Sequence, residues 1–365
     1  MTTLVTGATG FVGSHVARLL GERGEAVRVL VRRTSQLRAI EGLSLELAYG
    51  DLRDFSSLVA ALRGVQKVYH VAADYRLWAK DPREIYESNV TGTRNLIEAA
   101  RQAEVERFIY TSTVATIAVP RGVHSSGSAQ KPLGQGEEAS QKQLPNEETR
   151  ASLEEMIGHY KRSKLLAEQE ALQGAANGMP LVIVNPTAPV GPGDWKPTPT
   201  GRIILDFLRG KMPAYVDTGL NVVAVEDLAA GHWLAAERGR PGERYILGGR
   251  NMTLKEILDV LSAITGRPSP RVRLPHAVAL AAGCADAIIS RVLGREPHIP
   301  LEGVRMARHK MFVDCSKAAR ELGFQAGSVE AALERAVRWY VENHYVHASG
   351  YRAMARAPMQ PGRAA

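Results

Sequence analysis

Residues 2–13 read TTLVTGATGFVG, a short run rich in β-branched residues that leads directly into three spaced glycines. The run Thr2–Thr6 favours a strand, and apolar residues at helical spacing over 11–23 favour a helix after the turn. Glycine permits a sharp turn, and the free N–H groups at the start of the next helix attract an anion. The turn therefore predicts a site for the pyrophosphate of a dinucleotide, formed by Gly7, Thr9, Gly10, Phe11, Val12 and Gly13.

The alternation of strand and helix continues along the first half of the chain. Strand-like segments follow at 26–31, 43–48, 67–72, 108–112 and 181–185, with helix-like stretches between them. Strands that alternate with helices pair in parallel. We therefore expect an α/β fold with a doubly wound parallel sheet of the Rossmann type.

The pattern changes at about residue 191, where short strands at 214–217, 222–225 and 244–247 mix with helices such as Leu254–Thr265. We expect 1–190 to form the dinucleotide-binding domain and 191–347 to be mainly a smaller C-terminal substrate-binding region. Residues 120–147 lie in a stretch rich in Gly, Ser and Gln, which predicts a long flexible loop. The tail 348–365 contains arginines and no acid and predicts a mobile end.

The second strand ends in Val31-Arg32-Arg33. An acid at this place suits the free 2′-hydroxyl of NAD, whereas an arginine suits the 2′-phosphate of NADP. Arg32 and Arg33 therefore favour NADP, with NAD as the alternative. A pair of solvated arginines at a strand end is the non-functional interpretation.

Tyr160 and Lys164 are four residues apart in a helical pattern, so they share one face. A neighbouring ammonium and a cationic nicotinamide would favour the phenolate and lower the pKa of the tyrosine toward working pH. Thr113 follows a predicted strand at the sheet edge where ligands bind. The three residues predict an acid/base site for hydride transfer, although Tyr-x-x-x-Lys alone is a frequent accident.

These residues resemble the extended short-chain dehydrogenase/reductase family, the NAD-dependent epimerase/dehydratase family, over nearly the whole chain. The marks are GATGFVG, Asp51-Leu52, His70-Val-Ala-Ala, Asn89-Val-Thr-Gly-Thr and the Tyr160/Lys164 pair. The resemblance implies that Asp51 and Leu52 lie near the adenine and that Ala72 and Ala73 line the cofactor cleft. It also implies that Pro186 and Thr187 flank the nicotinamide, that Asn89 stands near the site, and that Thr113 takes the family's Ser/Thr position.

Longer strings are similar to hopanoid-associated sugar epimerases, a group like dihydroflavonol reductases. They include AADYRLWA at 72–79, NPTAPVGP at 185–192 and KPTPTGRII at 196–204. On the substrate side we single out Tyr75, Arg76, Trp78, Trp195 and Arg202 as candidate contacts to a sugar or a glycosylated isoprenoid. A packed loop is the alternative for the first three.

Composition excludes some function classes. The net charge of +8 comes from scattered basic residues without a recognised nucleic-acid motif, so nucleic acid is not an expected partner. No stretch of about 20 uncharged apolar residues occurs, so no transmembrane segment is expected. The most apolar stretch, 277–292, predicts a buried or dimer-forming helix, with a membrane-surface patch as the alternative.

The remaining expectations concern location, metals and assembly. With two cysteines, Cys284 and Cys315, and no leader pattern before Thr2, the sequence favours a reduced, cytoplasmic protein whose cysteines are buried filler. No grouping of side chains has metal-ligand spacing, so no metal is expected. A homodimer through the helices around 89–100 and 160–170 is a weaker expectation.

Three functions share these motifs. An epimerase oxidises a sugar and returns the hydride to the other face, whereas a reductase of the dihydroflavonol or 3β-hydroxysteroid dehydrogenase type transfers it once and releases product. The arginine pair favours net reduction, while the longer strings favour the epimerase. A sensor that binds NADP without reaction is the third hypothesis, against which intact Thr113, Tyr160 and Lys164 argue.

Overall fold

The computed structural model describes residues 1–76, 79–117, 144–293 and 301–346, without the side chains of 291 and 292. Trp78, most of the predicted loop and the tail 348–365 lie outside the described residues. The elements in chain order are β1 (Thr2–Thr6), α1 (Phe11–Glu22), β2 (Ala26–Val31), β3 (Glu46–Tyr49), α2 (Phe55–Ala61), β4 (Val65–His70), α3 (Arg83–Tyr86), α4 (Gly92–Gln102), β5 (Arg107–Thr111), α5 (Gly158–Ala176), β6 (Leu181–Pro186), β7 (Ala188–Val190), α6 (Pro199–Leu208), β8 (Ala214–Val216), β9 (Gly219–Ala224), α7 (Val225–Arg238), β10 (Arg244–Leu247), β11 (Arg250–Thr253), α8 (Leu254–Thr265), β12 (Val272–Leu274), α9 (His276–Val292), α10 (Leu301–Met306), β13 (Lys310–Met311), α11 (Ser316–Leu322) and α12 (Val329–Glu342). A π-helical turn over Glu87–Thr91 joins α3 to α4.

Seven strands form one parallel sheet in the order β10-β6-β5-β4-β1-β2-β3. The chain runs outward from β1 in one direction through β2 and β3, and in the other direction from β4 onward. The crossovers therefore diverge between β1 and β4 and leave a crevice at the carboxyl edge of the sheet. The predicted Rossmann sheet is confirmed.

Helices cover both faces of the sheet because successive strand residues point to opposite sides. Val5 lies in the core beneath α1 and α7, whereas its neighbour Leu4 lies in the core beneath α2, α4 and α5. Leu20 and Leu96 are fully buried helix residues in these two cores. Each such side chain contributes about 1.5–3 kcal/mol through burial.

A smaller layer follows the sheet in sequence. Strands β11, β9 and β13 pair side by side, β7 also pairs with β9, and β8 pairs with β12. Helices α6, α8 and α12 pack on this layer around Phe207, Leu258 and Leu333. This layer stands beside the carboxyl edge of the large sheet, since β6 runs into β7 through Thr187 alone.

Two expectations from the sequence need correction. Strand β10 does not belong to the smaller layer: it pairs with β6 in the large sheet, with Tyr245 opposite Val184, because Tyr245, Ile246 and Leu247 are fully buried there. Residues 225–247 thus return to the large sheet after the expected boundary at 190. Helix α9 is not buried either, since Ile288 and Ile289 are exposed.

Some absences hold for the described parts of the chain. No helix there combines the length and hydropathy that crossing a bilayer requires. Both cysteines are free thiols and half-buried, so neither is the fully buried filler that we expected. Burial raises the pKa of the Cys315 thiol.

Candidate active site

The glycine turn closes tightly at the end of β1. Gly7 adopts a φ of +74°, and its carbonyl accepts a hydrogen bond of 2.9 Å from the Gly10 amide. A Cβ atom on Gly7 would lie 2.6 Å from the amide nitrogen of Ala72, and one on Gly13 would collide with the Gly7 carbonyl. The turn and the loop after β4 therefore meet only because these positions have no side chain.

The first turn of α1 offers unbonded donors at the crevice. Within the described residues, the amides of Phe11, Val12 and Gly13 have no acceptor, and the N-cap Gly10 has no side chain to cap them. Thr9 lies half-buried inside the turn. Free amides and a helix dipole favour a phosphate group at this point, so the turn fits the pyrophosphate of a dinucleotide.

The end of β2 presents two guanidinium groups. Arg32 and Arg33 are exposed, and neither forms an ion pair within the part of the chain that the structure describes. Arg33 lies 5.3 Å from the centre of the Tyr49 ring. The nearby Asp51 binds Arg53 at 2.9 Å, and this hydrogen bond, helped by the charge of Arg32, lowers the pKa of Asp51 to about 2. Arg32 is therefore available to an anionic ligand.

The segment that the resemblance places near the adenine is held against α4. The Leu52 carbonyl accepts a hydrogen bond of 3.0 Å from the Asn95 side chain. A Cβ atom on Gly92 would lie 2.8 Å from the Leu52 Cβ atom, so the two backbones are close. Asp51 is fixed by its amide, which donates to the Ser57 hydroxyl at 3.1 Å.

The three predicted acid/base residues meet at the carboxyl edge of the sheet. Tyr160 and Lys164 lie in the first two turns of α5, and Thr113 follows β5. Thr113 lies close enough to Tyr160 to act on its hydroxyl, and the Thr113 hydroxyl accepts a hydrogen bond from the Ala115 amide at 3.2 Å. A substrate oxygen placed at this pair would contact one hydroxyl and one phenol.

Burial acts on Tyr160 against the expected direction. It raises the pKa of Tyr160 to about 12, although the nearby Thr113 opposes the rise. Burial lowers the pKa of Lys164 to about 7, against the attraction of Glu168. In the chain alone both groups are desolvated, and the lowering of the tyrosine pKa by the lysine and a cationic nicotinamide together stays a prediction.

Lys164 is held from behind by β5. Its ammonium donates to the Tyr110 hydroxyl at 3.0 Å and to the Thr111 carbonyl at 2.7 Å. The same nitrogen lies 4.6 Å from the centre of the Tyr110 ring. These contacts fix the lysine against β5, and among the described residues no carboxylate forms an ion pair with it.

A buried carboxylate lies one helical turn beyond Lys164. Glu168 accepts hydrogen bonds from Ser112, from Thr116 at 2.8 Å and from Asn185 at 2.9 Å, and it pairs with Arg244 at 3.0 Å. Arg244 is on β10, so the pair joins α5 to the edge of the large sheet. Asn185 in turn donates to the Thr113 carbonyl at 3.1 Å. The cluster therefore positions the strand end that presents Thr113.

His70 ties the glycine turn to α4. Its Nδ1 atom lies 2.8 Å from the Thr6 hydroxyl and its Nε2 atom 3.0 Å from the Thr93 hydroxyl. The Thr6 oxygen also accepts from the Ala72 amide at 3.2 Å. Burial lowers the pKa of His70 to about 3, so the ring is neutral and serves to hold Ala72 in the cleft wall.

Asn89 lies in the π-helical turn and connects three segments. It accepts from the Asp74 amide at 2.7 Å, and it donates to the Asp74 carbonyl at 2.9 Å and to the Ser163 hydroxyl at 2.9 Å. π-Helical turns are often found at functional sites. The side chain thus fixes the loop after Ala73 against α5.

The segment predicted to flank the nicotinamide lies at the end of β6. Pro186 ends that strand, and Thr187 follows it; both are buried. The Thr187 amide and hydroxyl donate to the Leu247 carbonyl at 3.1 and 3.4 Å. These residues reach the same edge of the sheet as Thr113.

Two substrate candidates come together near Tyr160. The Tyr75 hydroxyl donates to the Lys196 carbonyl at 3.4 Å, and the Lys196 ammonium lies 6.0 Å from the centre of the Tyr75 ring. Burial raises the pKa of Tyr75, Asp194 adds to the rise and the charge of Arg202 opposes it. Tyr75 also contributes to the raised pKa of Tyr160. Tyr75 therefore lies near both Arg202 and Tyr160.

Two other candidates are engaged elsewhere. Arg76 forms ion pairs with Asp74 at 2.6 Å and with Glu84 at 2.9 Å, so its charge is already balanced. Trp195 stacks under Arg38 at 3.7 Å and packs edge-on to Trp339 at 4.7 Å.

Among the described residues, no group of three or more His, Cys, Asp or Glu side chains could hold a metal ion.

Comparison with known proteins agrees with this geometry. The family model described as NAD dependent epimerase/dehydratase family matches residues 3–248. The chain belongs to this family. It is 45% identical over 346 residues to a Synechocystis sp. protein named "Putative dihydroflavonol 4-reductase", and the aligned region covers 94% of this chain and 95% of that protein. It is 38% identical over 346 residues to sterol demethylase protein B of Methylococcus capsulatus, covering 94% and 99%.

A solved structure has the same fold over almost the whole length. The crystal structure of gox2253 superposes with a TM-score of 0.79 at 45% identity and covers 95% of this chain and 99% of that one. The resemblance to the extended short-chain dehydrogenase/reductase family is thereby confirmed. The protein is an enzyme of the epimerase, dehydratase and reductase type in that family and depends on a nicotinamide dinucleotide.

Sequence reasoning missed the residues that hold this family member's site from behind. Glu168, Asn185 and Arg244 were not singled out, although Glu168 follows Lys164 by four residues and therefore shares its helix face. An acidic residue at that spacing was a signal that the sequence contains. Arg244 had no such signal in the sequence, because only the sheet order brings β10 to α5 and β6.

Proposed function

We propose that the protein is an NADP-dependent oxidoreductase that interconverts a secondary alcohol and a ketone on an isoprenoid lipid, with Tyr160 as acid/base. The observation that carries the proposal is the approach of Tyr160 to Thr113 at the carboxyl edge of the sheet, with the buried Lys164 one helical turn further along α5. The dinucleotide, when bound, supplies the hydride in reduction and accepts it in oxidation. A proton must move with the hydride, and Tyr160 is the group placed to give or take it.

The chain's own residues divide the work. In reduction the Tyr160 hydroxyl donates its proton to the carbonyl oxygen, and Thr113 donates a hydrogen bond that orients that oxygen. Lys164, with a pKa of about 7, stabilises the phenolate that remains. In oxidation the phenolate takes the proton of the alcohol. The raised pKa of Tyr160 in the chain alone favours the protonated, donating form.

The proposed cofactor contacts follow the crevice. The amides of the glycine turn, from Gly7 to Gly13, would hold the pyrophosphate, and Arg32 and Arg33 would hold the 2′-phosphate. Asp51 and Leu52 would border the adenine. Nearer the nicotinamide, the proposed contacts are Ala72, Ala73, Asn89, Tyr160, Lys164, Pro186 and Thr187. The family description names NAD, so the preference for NADP is part of the proposal and rests on the unpaired Arg32.

The proposed substrate class rests on the relatives and on the cleft. One relative is named for sterol demethylation, and the strings at 72–79 and 196–204 are similar to hopanoid-associated enzymes. Tyr75 offers an aromatic face near Tyr160, and Arg202 offers a charge near Tyr75. A reaction in hopanoid biosynthesis, with Tyr75 and Arg202 as substrate contacts, follows as our proposal.

A sugar epimerase is the second candidate. The family description and the longer sequence strings favour it, and it would use the same Tyr160 and Thr113. The two candidates differ in whether the cofactor is consumed. A cytoplasmic location and a dimer through α4 and α5, which lie side by side and share the Arg94–Glu170 ion pair, belong to the same set of proposals.

Incubation of the purified protein with NADPH and isoprenoid ketones tests the choice. Stoichiometric loss of nicotinamide absorbance with formation of the alcohol supports the reductase. Conversion of a nucleotide sugar to its epimer, with no net change in cofactor, would assign the site to the epimerase. Tyr160→Phe is the control for reaction at this site in both assays.

A further inference from the structure

Helix α9 presents an apolar stripe to solvent. Its exposed side chains are Ala277, Val278, Ala281, Ala282, Ala285, Ile288 and Ile289, and Leu293 follows immediately. Val278, Ile288, Ile289 and Leu293 are 53%, 66%, 50% and 64% exposed. Among the described side chains of α9, every exposed one is apolar.

This pattern reverses the usual polarity of a surface helix. These positions recur every three or four residues and form one side of the helix, which a globular protein normally turns toward its core. On α9 the buried side instead contains Gly283 and Ser290, and the main neighbour is α10. A continuous exposed apolar surface of this kind marks an interaction site.

The surroundings of the stripe are strongly basic. Residues 267–310 contain eight Lys and Arg against three Asp and Glu, so this segment has a net charge of +5 within a chain of +8. Arg271, Arg273, Arg305, Arg308 and Lys310 are exposed. The apolar stripe is therefore flanked by cations on the preceding strand and on the segment from α10 to β13.

A small cleft lies where α9 begins. It has a volume of about 210 Å³, and Arg273, His276 and Arg308 line it together with Asp217. Asp217 pairs with Arg273 at 2.9 Å and with Lys310 at 3.3 Å. Arg308 has no ion pair within the described part of the chain. The cleft thus keeps a free cation beside the apolar stripe.

We propose that α9 and its basic flanks dock the protein on the surface of a bilayer that contains anionic lipid. An apolar helix face enters the boundary between headgroups and acyl chains, while arginines and lysines contact anionic headgroups. The charge argues against a second copy of the chain, because a two-fold interface would set the +5 segment against itself.

The docking surface adjoins the candidate active site. Glu302 on α10 lies against Gly158, the first residue of the catalytic helix α5, where an added Cβ atom would collide with its carboxylate. Its charge also acts on the buried Lys161, the neighbour of Tyr160. A bilayer under α9 would therefore lie beside the candidate active site. The docking does not depend on which reaction the site performs.

Co-sedimentation of the full-length protein with vesicles tests the proposal. We expect binding to vesicles of phosphatidylcholine with phosphatidylglycerol, and weaker binding to phosphatidylcholine alone. The double variant Ile288→Ser/Ile289→Ser should lower the partition coefficient about tenfold or more, since two inserted side chains are lost. Arg308→Gln should weaken binding only to the anionic vesicles. Val59→Ser, at an exposed apolar position of α2, is the matched control and should bind as wild type.

Several outcomes would overturn the docking surface. One is a wild type that stays in the supernatant with both kinds of vesicle. Another is a double variant that sediments with the vesicles to the same extent as the wild type. A wild-type dimer that the double variant converts to a monomer, without vesicle binding, would assign the stripe to a second copy. The substituted side chains are exposed, so unchanged thermal unfolding and NADPH affinity confirm that each variant is folded.

Discussion

Tyr160 is the residue on which the proposed chemistry depends, and its surroundings separate catalysis from binding. Its hydroxyl lies near Thr113, while the residue as a whole is half-buried. Tyr160→Phe should lower kcat by about 10²–10⁴-fold, because only the transferable proton is lost. The affinity for NADPH, measured by fluorescence titration, should stay near that of the wild type. Turnover at the wild-type rate would remove Tyr160 from the proposal.

Arg32 decides the proposed cofactor preference. Its guanidinium is exposed and unpaired in the described structure, whereas the nearby Asp51 is neutralised by Arg53. Arg32→Ser should weaken NADP binding about tenfold to a hundredfold through loss of charged hydrogen bonds. NAD binding should change little. Calorimetry with both cofactors measures the difference, and Arg63→Ser, another exposed arginine, is the control.

Lys164 should make stability depend on pH with a defined sign. Burial lowers its pKa to about 7 in the folded state, while the unfolded value is near 10.5. Between these values the unfolded chain binds more protons, so this group costs stability at neutral pH and the cost disappears as pH rises. Lys164→Met removes the titration. The stability of the variant relative to wild type should therefore fall by up to about 4 kcal/mol from about pH 6 to about pH 9.5.

Denaturant unfolding at several pH values measures this difference. The two proteins share every other titrating group, so the comparison isolates Lys164. A pH-independent difference between them would show that the pKa of Lys164 is the same in the folded and the unfolded chain.

At the scale of elements, the Glu168–Arg244 pair joins α5, β6 and β10 behind the site. Removal of one partner of a buried pair costs about 3–5 kcal/mol because the other charge remains buried. Arg244→Met should destabilise the protein by this amount. It should also lower kcat more than it raises KM, because Asn185 and Thr113 lose their support.

Arg240→Met is the matched control for this cluster. Arg240 pairs with Glu321 at 2.9 Å on the surface, where 63% of the Arg240 side chain is exposed. An exposed pair contributes about 0–1 kcal/mol, so the free energy of unfolding should hardly change. Equal losses in the two variants would show that the buried pair has no special role.

At the scale of the whole molecule, Arg38 connects the dinucleotide half to the substrate layer. It follows β2, and its guanidinium lies 3.7 Å from the centre of the Trp195 ring. The backbone carbonyl of Trp195 accepts a hydrogen bond from the Tyr345 hydroxyl at 2.6 Å. Arg38→Leu should cost about 1 kcal/mol of stability through the lost cation–π contact. It should also raise KM for the carbonyl substrate, since the layer that borders the cleft is less firmly held.

Arg23→Leu is the control for that contact. Arg23 caps the end of α1 and lies 4.2 Å from the centre of the Trp233 ring on α7, so both residues stand on the helices' side of the large sheet. The stability loss should be similar and KM unchanged. An equal rise of KM in both variants would separate the Arg38 contact from substrate binding.

Much of the fold could be predicted because its signals are local. The strand-turn-glycine order at residues 2–13 and the bounds of β2, α8 and β10 follow from patterns within single segments. The positions of Thr113, Tyr160 and Lys164 on their elements followed from spacing and from the ends of elements. The partner of β10 did not, because the choice of sheet depends on which buried surfaces meet in space.

The sequence by itself determined the family, the glycine turn and the Tyr160/Lys164 face, since each depends on neighbours within a few residues. Only the tertiary structure decided that Arg76 is balanced by Asp74 and Glu84, that Glu168 meets Arg244, and that α9 turns its apolar side outward. The reason is physical. Charge pairing and burial depend on groups far apart in the chain, and one-dimensional periodicity states that a helix has an apolar side but not what covers it.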